Sequence, residues 1–174
     1  MKGLRWAIAI GAVVVALVVQ VSLFPHLAWH GIVPNLCLLV VVAAALTVEA
    51  PFALLLGFVA GVTLDLAPPA DHLAGRWALA LTIAAFLAAR VRQDQKPSAM
   101  TVVGTVAAAS FVASSLFALS GMVLDDGGLA VGQMVQVIVT GVLWDVLLAP
   151  VLVPALLWLL EGLGPLRERV RVAH

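Results

Sequence analysis

Apolar stretches and short polar breaks alternate along the whole chain. The apolar segments cover about residues 6–24, 33–48, 52–67, 76–90, 99–123 and 131–160. A bilayer core takes roughly 20 helical residues to cross, so this pattern predicts six transmembrane helices. The second and third segments are short for a full span. Glu49-Ala50-Pro51 lies between them, and a charge followed by proline predicts a tight turn. Two short or tilted spans is the simpler reading of that region, and a re-entrant pair is the other.

Composition turns the pattern into a fold class. Of 174 residues, 64% are hydrophobic and 10% charged, with a mean hydropathy of +1.18. Soluble domains carry about 25% charged residues. The chain therefore reads as an all-α integral membrane protein: one polytopic domain over residues 1–174, with residues 164–174 as a basic cytoplasmic tail. Lys2 and Arg5 precede the apolar run Ala7 to Val19, as in a signal peptide. The run is longer than an h-region and no Ala-x-Ala site follows, which predicts an uncleaved first span.

Charge then predicts orientation. With the N-terminus in the cytoplasm, Lys2, Arg5, Arg90, Arg92, Lys96, Arg167, Arg169 and Arg171 fall inside and Arg76 alone falls outside. This is the bias expected of cytoplasmic loops. Trp6 and Trp158 then lie near the inner face, and Trp29 and Trp77 near the outer one. Both termini are predicted to be cytoplasmic. Nine basic and nine acidic residues cancel, so no global field draws in nucleic acid. The connecting segments are too short to hold a soluble domain.

The residues that could carry chemistry are few. Gly57, Gly61 and Asp65 recur at intervals of four and share one helix face, where glycines permit close backbone approach, so this face is a candidate docking surface for a partner helix, a second copy or the chain's own helices. Asp65 lies 13 residues after Phe52, about 20 Å along the helix. It is predicted to pair with Arg76, closing the hairpin between the third and fourth helices, with Asp71 competing for the same cation. Gly141, Asp145 and Ala149 repeat the small–acid–small spacing, deeper in the last segment. A buried acid there is a proton or cation site, or a packing carboxyl satisfied by hydroxyls of Thr105, Ser110, Ser114 or Ser115. The packing reading is favoured, given how interhelical polar contacts behave. Pro150 and Pro154 are expected to loosen the helix beyond it.

Other signals are weaker. His26 and His30 stand four apart beside Pro25 and Gly31 and read as solvated turn residues, two ligands without a third. Asp125 and Asp126 precede two glycines and read as a flexible turn. A single cysteine, Cys37, excludes an internal disulfide and reads as a buried thiol. No His-Glu-x-x-His, Gly-x-Ser-x-Gly or P-loop occurs. Catalysis, a cofactor and a metal are not expected.

Pro34-Asn35-Leu36, the stretch Gly57-Phe58-Val59-Ala60-Gly61-Val62-Thr63-Leu64-Asp65-Leu66, Ala78 to Leu81 with Phe86 to Arg90, and a proline-containing last span before a basic tail form an ordered series. In this arrangement the chain resembles the bacterial rod-shape-determining MreD family. The resemblance implies a non-enzymatic membrane scaffold of the cell-elongation machinery, supporting lateral peptidoglycan synthesis. Its implied partners are the bitopic MreC, a SEDS-type glycan polymerase and a class B transpeptidase, and MreB directly or indirectly. The lipid bilayer and a second copy complete the set, with the bacterial inner membrane as location. The family in turn resembles the six-helix substrate-binding subunits of energy-coupling-factor transporters. The rival expectation is thus a vitamin-type transporter subunit, for which Gln133, Gln136 and Trp29 would form an outer pocket.

Overall fold

The structure, a computed structural model, describes residues 2–29, 31–68, 73–92, 96–124 and 131–161. It contains α1 (Lys2–Ser22), a short 3-10 turn (Phe24–His26), α2 (Leu36–Thr47), α3 (Ala50–Asp65), α4 (Arg76–Val91), α5 (Ala99–Val123) and α6 (Val131–Glu161). Three of these helices are long and apolar enough to cross a membrane: those at Trp6–His26, Ala99–Val123 and Val131–Leu160. The helices run alternately up and down. Trp6 of α1 meets Phe52 of α3 at one end, and Arg76 of α4 meets Phe117 of α5 at the other.

α2 is the centre of the bundle. It reads Leu-Cys-Leu-Leu-Val-Val-Val-Ala-Ala-Ala-Leu-Thr, and every residue from Leu36 to Leu46 is buried. A helix apolar all round has no face to give to water, so the others pack around it. It touches each of the other five helices. It starts three residues later than the hydrophobic pattern predicts. Pro34 pushes Val33 away from helical geometry, and Asn35 then caps the helix by accepting from the Leu38 N–H at 3.0 Å. The chain entering α2 is therefore non-helical, and Pro34 within it is fully buried.

The other boundaries follow local chemistry. Glu49 precedes α3 in extended conformation, and Pro51 sits in its first turn, where a missing N–H is harmless. Gly75, at φ +102°, starts α4 from the left-handed region that glycine adopts freely. Ser98 caps α5 by accepting from Thr101 N–H. The outer surface stays apolar: Val14, Leu55, Phe58, Leu79, Phe111 and Leu147 are all at least half exposed. Such a surface suits hydrocarbon as solvent.

α1 is the loosest member. Only Ala9, Val13 and Ala16 bury fully along its described length. Between α1 and α6, over the flank of α2, a groove of about 590 Å³ remains open.

Candidate functional site

Every helix begins with backbone N–H groups that lack partners within the helix. In a low-dielectric setting each costs several kcal/mol if left unmet. The two buried acids answer this need at two different helix starts.

Asp65, 2% exposed, closes α3. Its carboxylate accepts from the backbone N–H groups of Gly75 at 2.8 Å, Trp77 at 3.0 Å and Ala78 at 3.0 Å. A negative group here also meets the positive end of the α4 dipole. Backbone donors at the start of α4 thus help to close the hairpin predicted between the third and fourth helices. Arg76, 8% exposed, reaches across to the end of α5. Its Nη2 donates to the Phe117 carbonyl at 2.6 Å and its Nε to Ser120 Oγ at 3.2 Å. Its guanidinium lies 4.0 Å from the Phe117 ring centroid, and Trp77 stacks on that same ring at 4.3 Å. A cation at a helix C-terminus complements the negative end of its dipole. Asp65 and Arg76 therefore fasten three helices in sequence: α3 to α4 by the acid, α4 to α5 by the base.

Asp145, 2% exposed, serves the start of α2. It accepts from Asn35 N–H at 2.7 Å and from the Ser110 hydroxyl at 2.6 Å. Ser110 is one of the four hydroxyls that spacing offered, and Thr105 instead donates to its own helix at the Thr101 carbonyl. Gln20 of α1 supplies the next acceptor, taking Leu36 N–H at 2.8 Å and Cys37 N–H at 3.5 Å. The four consecutive donors from Asn35 to Leu38 thus end on side chains of α6, α1 and the cap itself. Among the described residues, no buried side-chain nitrogen or oxygen lacks a partner.

The glycines of the third helix face α4. A Cβ on Gly57 would lie 2.7 Å from the Leu81 carbonyl oxygen, and one on Gly61 would run into the backbone of Trp77 and Ala78. The close approach that their spacing permits is made within the chain. Gly141 faces α5, where an added Cβ would sit 3.8 Å from Ser114 Oγ. Trp29, Gln133 and Gln136 are exposed, and none of them lines the α1–α6 groove. His26 is exposed in the 3-10 turn. His30, Asp71, His72, Asp125, Asp126 and the basic tail lie outside the described residues.

Three participants escape pattern reading, although two of them carry a sequence signal. Gln20 is an amide inside an apolar run, the usual mark of an interhelical contact. Asn35 after proline at the edge of a hydrophobic segment is a capping signal. Gly121 has no such signal. It is buried, and the Arg76 guanidinium lies where a Cβ would be.

A family model for the rod shape-determining protein MreD matches residues 2–162. No curated protein matches the chain, and no solved structure does.

Proposed function

The chain belongs to the MreD family of rod shape-determining proteins, and on that premise we propose that it acts as a non-enzymatic scaffold for lateral peptidoglycan synthesis. It sits in the bacterial inner membrane with both termini cytoplasmic. It brings the single-span protein MreC beside the SEDS-type polymerase and class B transpeptidase, and through them MreB. The contacts run between helices.

The observation that supports this reading is the groove between α1 and α6. Its walls include Ala7, Gly11, Val15, Leu39, Val40 and Leu152. Ala7 and Gly11 stand four apart, the small-residue spacing that lets transmembrane helices approach closely. A Cβ on Gly11 would meet nothing within 4 Å, whereas Gly57 and Gly61 are already filled by α4. The groove is long, apolar and open to the side, which suits one helix.

Cysteine crosslinking in intact cells tests this. Gly11→Cys and Leu152→Cys should both trap a bitopic membrane protein with a periplasmic domain. Phe58→Cys, on the exposed flank of α3, should not. Equal crosslinking from all three positions, or normal rods after depletion of the protein, overturns the proposal.

A further inference from the structure

A second recess, of about 300 Å³, opens at the opposite side of α6 from that groove's mouth, where α5 begins. Its lining includes Lys96, Val102, Pro150, Pro154, Leu157 and Trp158. The prolines lie inside α6. Neither carries an N–H, and neither has a side chain long enough to reach across to α5. Ala99, the first residue of α5, is equally short. The gap is therefore built from residues that cannot fill it.

Its polarity is graded along the bundle axis. Lys96 stands exposed at the lip, ahead of the first turn of α5. Trp158 is 76% exposed, an indole where the interface between water and hydrocarbon is expected. Val102, Pro150, Pro154 and Leu157 continue the lining with hydrocarbon alone. Arg90 and Arg92, at the end of α4, add positive charge at the same end of the bundle. Glu49, in the turn before α3, and Glu161, the last residue of α6, are the acids there among the described residues, against the three cations Lys96, Arg90 and Arg92. Cation, indole and aliphatic surface repeat the order of phosphate, glycerol backbone and acyl chain in a phospholipid. Basic recesses between transmembrane helices bind anionic headgroups on this principle.

We propose that this recess binds one anionic phospholipid, its phosphate at Lys96 and an acyl chain against Pro150, Pro154 and Leu157. Trp158 covers the glycerol region from the side. The charge on Lys96 sets the preference for an anionic headgroup, and the recess sets the retention of the chain.

The test uses the purified full-length chain in nanodiscs of equal parts phosphatidylglycerol and phosphatidylcholine with identical acyl chains. Native mass spectrometry reads the lipid that stays bound. The wild type should retain phosphatidylglycerol about fivefold over phosphatidylcholine, the worth of one cation near a lipid surface. Lys96→Gln should bring that ratio close to one while total bound lipid holds. Ala99→Phe, which plugs the recess from an exposed position, should reduce retention of both lipids. Both substituted residues are exposed, so the bundle is expected to fold in each variant. A wild-type ratio near one overturns the proposal. So does a preference for phosphatidylglycerol that survives both substitutions, since that places the lipid elsewhere on the chain.

Discussion

At the scale of single residues, two aspartates share one task. Asp65 takes three N–H groups at the start of α4, and Asp145 takes one at the start of α2 together with the Ser110 hydroxyl. An acid in an apolar setting has commonly a cation for a partner or a role in ion passage. Both acids here accept from backbone N–H groups, because a short helix that starts inside the bundle needs acceptors as much as the acid needs donors. Replacing Asp145 by Ala leaves Asn35 N–H and Ser110 without acceptors, a loss of about 1–3 kcal/mol. Asp145→Asn keeps an oxygen for Asn35, and Ser110 can accept from the new amide, so it should lose less. Unfolding of the purified protein in detergent should rank wild type above Asn and Asn above Ala. Ser110→Ala added to Asp145→Ala should then cost little more. Fully additive losses would mean that the two side chains do not act as a pair.

At the scale of helices, packing is decided where side chains are smallest. α3 and α4 meet through Gly57 and Gly61, and a methyl group at Gly61 has only backbone of Trp77 and Ala78 to push against. Backbone does not rotate away as a side chain does. Gly61→Ala should therefore separate the two helices and destabilise the fold by about 1–3 kcal/mol, as overpacking does. Gly104→Ala, at an exposed position in the second turn of α5 with nothing within 4 Å of its added Cβ, should be neutral or stabilising by up to about 1 kcal/mol. Thermal unfolding of the two variants side by side checks both. Equal losses would show that helix propensity, and not contact, governs these positions. The spacing of Gly57, Gly61 and Asp65 was legible as a contact face. Which helix occupied it was not, since a glycine stripe fits any close neighbour.

At the scale of the whole molecule, a buried central helix is held at its start by polar side chains of two neighbouring helices and by its own cap, with α1 attached loosely and a groove beside it. Orientation across the membrane belongs to this scale as well. Glu49 in the α2–α3 turn and Ala74 before α4 are both exposed, at opposite ends of the bundle. Cys37 is buried, so single cysteines at those positions report with little background. A membrane-impermeant maleimide should label Ala74→Cys in intact cells and Glu49→Cys only after permeabilisation; the reverse result would invert the orientation. Hydrophobic pattern by itself determined the number of helices, their order and most of their ends, and the basic residues determined an expected orientation. These are local properties, because apolar run length and capping residues act on their own neighbourhood of chain. The destinations of Asp65, Asp145 and Arg76, the burial of α2 on every side and the two open recesses were decided only by the tertiary structure. Each depends on which distant helix comes near, and one carboxylate fits an arginine, a hydroxyl or a row of backbone N–H groups equally well until the packing sets its neighbour.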